Sequence, residues 1–180
     1  MRRTRAAAAA LLTAAAIGVG ACGDEDEPAV DNSVTPAATA PPQAVPASGD
    51  AIKISTDTKS KPSIDKPAGD PPTELYSRDI LKGKGKAAAT GDNVSVQYVG
   101  VSYSTGEQFD ASWDGGGDPF PFQLGAQRVI AGWDQGVPGM RVGGRRLLVI
   151  PPDLAYGAEG RPGIAPNETL IFVIDLEKIG

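Results

Sequence analysis

Apolar and polar residues alternate along several short segments of the chain, and this alternation predicts β-strands. The clearest strand spans residues 93–104, where apolar positions beginning at Val94 alternate with polar positions beginning at Ser95. Two continuous aliphatic runs, residues 147–150 and 170–174, have the length of strands. Such runs are typical of central strands that are covered on both faces.

Helical spacing is found only around residues 130–137, where Pro138-Gly139 ends the helix. The pattern therefore predicts five or six strands and one short helix. One helix covers only one face of a sheet, so the sheet must curl around it. We expect an α+β fold, an antiparallel half-barrel of five to six strands wrapped around the helix. Residues 52–54 alternate and predict a short edge strand, and the proline-rich residues 59–72 are expected to lie extended on the surface.

The first 50 residues differ in character from the rest. A basic head is followed by an apolar run over residues 6–21, which is typical of a signal peptide, and the run ends in Val19-Gly20-Ala21-Cys22. This ending resembles the bacterial lipobox, which predicts a signal peptide at 1–21, a lipidated Cys22 and an extracytoplasmic protein anchored to the bacterial cell membrane. The alternative is an ordinary signal peptide with a chance cysteine. Residues 22–50 are acidic and rich in proline and alanine, and they predict a disordered tether.

Composition excludes several kinds of chemistry. The 180 residues contain no histidine and one cysteine, and the formal net charge is −5. The commonest general base and metal ligand is therefore absent, and an intrachain disulfide is impossible. An acidic chain is also poorly suited to nucleic acid. We expect no metal, no cofactor and no nucleic-acid partner.

Aromatic residues concentrate between Tyr98 and Tyr156, and one carboxylate, Asp110, stands beside Phe109. Folding alone gives no reason to place a carboxylate there, because a buried charge is costly unless it is paired or hydrogen-bonded. The alternative is an aspartate that caps a turn. Aromatic rings with a carboxylate but without a nucleophile predict a site that binds and twists an apolar group.

The chain resembles the FK506-binding-protein (FKBP) family of peptidyl-prolyl cis-trans isomerases from about Leu75 onward. The matching blocks are Val96-Gln97-Tyr98-Val99-Gly100, residues 106–112, Pro119-Phe120-Pro121-Phe122, Leu124-Gly125, residues 129–133, Pro152-Asp153-Leu154-Ala155-Tyr156-Gly157 and Leu170-Ile171-Phe172. The resemblance implies an isomerase domain at 51–180, with a shallow apolar cup on the concave side of the sheet.

The resemblance also implies a role for each cup residue. The catalytic set would be Tyr98, Phe109, Asp110, Trp133, Tyr156 and Phe172, and the substrate-binding set Phe120, Val129, Ile130 and Ile164. Trp133 would form the floor, and the Tyr156 hydroxyl and the Ile130 amide would donate to the substrate carbonyl. Asp110 would lie at the rim, hydrogen-bonded near Tyr98.

The function implied is rotation of X-Pro bonds in exported proteins, with proline-containing polypeptides as substrates and FK506-like macrolides as further ligands. A binding module that grips apolar segments without turnover is the alternative. Three features depart from the family pattern: the loop 113–118 lacks a basic residue, Arg128 stands where an acidic residue is common, and Arg161 and Ala165 differ in the flap loop. Trp113 in that first loop is either an added substrate contact or a surface aromatic.

Overall fold

The computed structural model describes residues 51–180. The predicted signal peptide, Cys22 and the tether lie outside the described residues. Within residues 51–180 no helix is both long enough and apolar enough to cross a membrane.

Six strands form one antiparallel sheet in the described part of the chain. They are β1 (Tyr76–Leu81), β2 (Asn93–Ser102), β3 (Gln108–Ala111), β4 (Phe120–Gln123), β5 (Arg145–Ile150) and β6 (Leu170–Ile179). The order is β1-β5-β6-β2-β3, and β4 pairs with the first half of β2. The two aliphatic runs therefore form interior strands, and the predicted α+β fold is confirmed.

The single α-helix of residues 51–180, α1 (Ala131–Gly136), begins after Ile130 and ends before Pro138, as the sequence predicts. It lies close against β5 because two of its residues lack side chains. A Cβ added to Gly132 would stand 2.4 Å from Ile150 Cγ2, and one added to Gly136 would stand 2.8 Å from Leu148 Cδ1. Real Cβ atoms do not approach so closely, so larger residues would push the helix off the sheet.

Alternation along the strands separates two apolar clusters, one on each face of the sheet. The inner face carries α1 and the aromatic residues, including Trp133 and Phe172. The outer face carries aliphatic residues such as Leu147 and Ile171, and it is covered by residues 51–75, here called the arm. The predicted coverage of the central strands on both faces is therefore observed.

The arm binds the outer face as irregular chain, and the predicted edge strand at residues 52–54 is wrong. Ile52 is 4% exposed and packs in the outer-face cluster. Arginine side chains of the sheet donate hydrogen bonds to carbonyl groups of the arm. Arg78 donates to the Ile52 carbonyl, and Arg145 Nη1 donates to the Ser55 carbonyl at 2.9 Å. Because side chains satisfy these carbonyls, the arm does not need a strand partner.

Candidate functional site

A cavity of about 250 Å³ opens on the inner face, above α1. Its lining comprises Tyr98, Phe109, Asp110, Phe120, Arg128, Val129, Ile130, Trp133, Tyr156, Arg161 and Phe172. The structure thus places nine of the ten residues predicted for the cup around one cavity. Ile164 differs, because it is 5% exposed, belongs to the inner-face core and does not line the cavity.

The rings meet edge to face around Trp133, which is 4% exposed. Its ring centroid lies 5.1 Å from that of Tyr98 and 5.2 Å from that of Phe172, at interplanar angles of 80° and 87°. Phe109 contacts Phe172 in the same way at 5.5 Å. Edge-to-face pairs are favourable because the positive ring edge meets the negative ring face. The cavity wall is therefore a connected and rigid set of rings.

Phe109 and Asp110 are consecutive in a strand, yet both line the cavity. The register between β2 and β3 explains this: Gly100 pairs with Asp110 and Val101 pairs with Gln108, so Phe109 is an extra residue in β3. Such a bulge redirects side chains that would otherwise alternate between the faces. The bulge brings a ring and a carboxylate to the same cavity.

Gly100 makes room for the rings. A Cβ built on this residue would stand 2.7 Å from both Phe109 Cζ and Phe172 Cε1. Any side chain here would displace the two rings, so Gly100 allows them to lie directly over the backbone of β2.

Asp110 accepts a hydrogen bond from the Tyr98 hydroxyl at 2.8 Å. Burial is the main reason why the pKa of Tyr98 lies well above the usual tyrosine range, and the hydrogen bond to Asp110 and the negative charge of Asp110 add to it. Tyr98 therefore remains a neutral donor. This hydrogen bond gives the Asp110 carboxylate a partner. The loop 113–118 contains no basic residue that could take that place.

Two hydrogen-bond donors at the cavity have no acceptor among the described residues. The amide of Ile130, directly before α1, donates to none of them. The Tyr156 hydroxyl accepts a hydrogen bond from Arg161 Nη1 at 2.9 Å, and its own proton has no described acceptor. A hydroxyl can accept and donate at once, so Tyr156 can still donate to a ligand.

The loop after β3 is held by side-chain hydrogen bonds. It begins with a 3₁₀ turn (Ser112–Gly115), and the Ser112 hydroxyl accepts from the Tyr98 amide at 2.9 Å and donates to Gln97. Gln97 in turn donates to the Gly117 carbonyl. Trp113 packs against the outer-face cluster and does not line the cavity. It is therefore not placed to contact a ligand bound there.

The sequence pattern assigns no role to Gly100, and it marks Arg128 and Arg161 only as departures from the family pattern. A glycine inside a strand is the one signal that points to Gly100, since such residues mark a close approach. No signal in the sequence shows that residues 128 and 161 lie at the same cavity, because the chain between them contains β5.

Comparison with known proteins agrees with this geometry. Residues 84–177 match the model of the FKBP-type peptidyl-prolyl cis-trans isomerase family. An FK506-binding protein of Streptomyces anulatus is 61% identical over 118 residues, which cover 64% of this chain and 94% of that protein. A probable FK506-binding protein of Corynebacterium glutamicum is 49% identical, with 64% and 96% covered.

The fold is also similar to those of solved structures. The crystal structure of AtFKBP13 superposes with a TM-score of 0.55 and 36% identity, covering 59% of this chain and 93% of that one. The crystal structure of FkpA from Escherichia coli gives a TM-score of 0.53 and 41% identity, with 58% and 47% covered.

Proposed function

The chain belongs to the FKBP-type peptidyl-prolyl cis-trans isomerase family and is an enzyme of that class, and we propose that it rotates X-Pro bonds in the inner-face cavity. The observation that carries the proposal is the pair of donors, the Ile130 amide and the Tyr156 hydroxyl, which have no described acceptor beside a cavity lined by rings. Such a site can hold a carbonyl while the bond next to it turns.

Rotation about an X-Pro bond is slow because amide resonance raises a barrier of about 18–20 kcal/mol. At the twisted transition state the resonance is lost, so the group is less polar than in the planar ground state. Water stabilises the planar form better than the twisted one, and a dry cavity reverses part of that preference. A thousandfold acceleration requires only about 4 kcal/mol.

Some residues of the cavity act through apolar packing, and others act through hydrogen bonds. Trp133 and Phe172 surround the proline ring and exclude water from it. Ile130 and Tyr156 hold the carbonyl out of the plane of the amide through directed hydrogen bonds. Asp110 fixes the Tyr98 ring through the hydrogen bond at 2.8 Å. No covalent bond is made or broken.

The test is nuclear magnetic resonance exchange spectroscopy on a Leu-Pro peptide, which reports cis–trans exchange without a coupling protease. We expect the wild-type domain to accelerate exchange. Tyr156→Phe should lower kcat/KM about two- to tenfold, the usual effect of one hydrogen bond, and Phe109→Ala should lower it further. Leu81→Ala, which alters an exposed apolar residue away from the cavity, is the control.

A wild-type domain that suppresses aggregation of an unfolded protein but leaves the exchange rate unchanged would refute the catalytic proposal. The binding module without turnover would then be the correct interpretation.

The same cavity is proposed to bind FK506-like macrolides, because two of its relatives bear the name FK506-binding protein. The structure contains a second tryptophan, Trp113, on the opposite side of the sheet. A Trp113→Phe background would therefore make Trp133 the fluorescent reporter. Quenching on titration supports the proposal, and an unchanged spectrum at saturating macrolide contradicts it.

We further propose that the enzyme is a lipoprotein anchored outside the cytoplasm through Cys22 and that it assists the folding of exported proteins. The support is the order of basic head, apolar run, small residues and cysteine at residues 1–22. Cys22→Ser should move the protein from the membrane fraction to the soluble extracytoplasmic fraction. Equal membrane association of both forms would contradict the anchor.

A further inference from the structure

Two arginines line the cavity, and neither is paired with a carboxylate of a described residue. Arg128 and Arg161 are both exposed, and neither takes part in a salt bridge of residues 51–180. Asp110 is the one carboxylate in the lining, and it accepts the Tyr98 hydroxyl. The rim of the cavity is therefore positive, in a chain whose formal net charge is −5.

Arg128 is the clearest unsatisfied cation. Arg78, Arg141, Arg145, Arg146 and Arg161 each donate a hydrogen bond to another described residue. Arg128 makes no hydrogen bond or ion pair with any residue of 51–180. A guanidinium has five N–H donors, so its whole capacity is available to a ligand.

The backbone that carries Arg128 is nevertheless held in place. Asp134 in α1 accepts hydrogen bonds from the amides of Gly125 at 2.8 Å and Gln127 at 3.1 Å. Gln127 adopts a left-handed conformation with φ of 55° directly before Arg128. The arginine thus extends from an anchored turn rather than from a free loop.

Arg161 is held more tightly than Arg128. Its backbone exchanges hydrogen bonds with Ile164 at 2.7 and 3.0 Å. Its guanidinium lies over the Tyr156 ring, with Cζ 4.9 Å from the centroid, and Nη1 donates to the Tyr156 hydroxyl. A guanidinium that donates one hydrogen bond and lies over a ring face keeps its remaining N–H groups for a carboxylate.

We propose that Arg128 and Arg161 are specificity-determining residues that select X-Pro substrates carrying an aspartate or glutamate directly before or after the proline. The inference rests on the proposed function, because the proline ring must occupy the cavity for its neighbours to reach the rim. Once the ring is bound, the adjacent side chains lie at the mouth, where both arginines stand. A cleft that presents one sign of charge favours the opposite charge in its ligand.

The test compares peptides that differ only in the charge next to the proline. One series places Glu, Gln or Lys before the proline, a second places them after it, and a Leu-Pro peptide serves as the neutral reference. Exchange spectroscopy gives kcat/KM for each. We expect Glu to exceed Gln by about three- to tenfold in at least one series, the range for one or two partly exposed ion pairs, and Lys to fall below Gln.

Variants show whether the arginines cause the preference. The double variant Arg128→Gln/Arg161→Gln should bring the Glu-to-Gln ratio to about one, and Arg128→Lys/Arg161→Lys should keep most of it. Arg128→Glu should shift the preference toward Lys. The ratio is taken within each variant, so a loss common to both peptides cancels. Arg141→Gln, an exposed arginine outside the cavity, should keep the wild-type ratio.

Salt provides an independent check. Raising the ionic strength from about 20 mM to about 500 mM shortens the Debye length to a few ångströms, so the Glu-to-Gln ratio should fall toward one. A wild-type ratio of one in both series, with Leu-Pro still accelerated, would overturn the inference and leave the proposed function intact. No acceleration of any peptide would overturn the proposed function and this inference with it.

Discussion

The two faces of the sheet are built from the same strands but differ in how completely they are covered. On the outer face, Leu147, Val149 and Ile171 are each 0% exposed beneath the arm. On the inner face, Tyr98 and Phe109 are only partly buried, and Phe120 is 40% exposed. One face is closed, and the other keeps a cavity.

The difference comes from the cover and from the side chains beneath it. The arm contributes Ile52, Ile54 and Ile64 to the outer-face cluster, whereas α1 has only six residues. Branched aliphatic side chains interdigitate closely under the arm. The inner-face rings instead support each other edge to face and do not collapse into the space that the helix leaves. We therefore expect outer-face changes to affect stability and inner-face changes to affect turnover.

The largest effect should come from the buried ion pair on the outer face, whose arginine also donates hydrogen bonds to Ser55 and Ser60 of the arm. Arg145 and Asp175 form a bidentate pair with both N–O distances 2.6 Å, and Arg145 is 0% exposed. Asp175→Ala leaves that guanidinium buried without its carboxylate, which should lower the free energy of unfolding by about 3–5 kcal/mol. Urea denaturation measures the loss.

The folded fraction of Asp175→Ala should keep its turnover, because the pair lies on the face opposite the cavity. Arg141→Ala is the matched control and should stay within about 0.5 kcal/mol of wild type. A loss below 1 kcal/mol for Asp175→Ala would contradict the large cost expected for a buried guanidinium without its carboxylate.

Gly100→Ala tests the inner face by adding one methyl group. The new Cβ would meet Phe109 and Phe172 at 2.7 Å, so the rings must shift. We expect about 1–3 kcal/mol of destabilisation and a fall in kcat/KM measured by exchange spectroscopy. Gly115→Ala is the control, since its Cβ would meet nothing within 4 Å. Unchanged turnover in Gly100→Ala would contradict this expectation, because it would show that the position of the two rings does not affect catalysis.

Neighbouring residues of β6 allow a direct comparison of the two faces. Ile171→Val should cost about 0.5–1.5 kcal/mol of stability and leave turnover unchanged. Phe172→Leu removes a cavity ring, and we expect kcat/KM to fall about tenfold, which corresponds to about 1.4 kcal/mol. Thermal denaturation measures the stability of both variants, and exchange spectroscopy measures their turnover. Equal losses of turnover in the two variants would contradict the division between the faces.

The smallest effect concerns alkaline pH. Because the pKa of Tyr98 is raised in the folded state, unfolding lets the phenol ionise near its usual pKa of about 10. Tyr98 therefore contributes stability that is present below pH 10 and is lost as the pH rises above it. Tyr98→Phe should show a shallower loss of stability between about pH 10 and 11, measured by urea denaturation. If the free energy of unfolding falls equally with pH in wild type and Tyr98→Phe, the raised pKa of Tyr98 is contradicted.

Local patterns in the sequence were enough to predict much of the fold. Alternation from Val94, the aliphatic runs within β5 and β6, and Pro138-Gly139 after α1 each report a short-range constraint, so strands and helix follow from neighbouring residues. The arm was not predictable in this way, because residues 52–54 alternate like a strand while Arg78 and Arg145 occupy their carbonyl groups.

The sequence by itself determined which rings and which carboxylate are available, because these are properties of composition and spacing. Only the tertiary structure decided that Phe109 and Asp110 share one cavity, since that depends on a register shift between β2 and β3. It also decided that Ile164 supports the core rather than lining the cavity, and that Arg128 and Arg161 line the same cavity. Residues far apart in the chain come together through strand pairing, and the extra residue that shifts the register of β3 is seen only once the strands are paired.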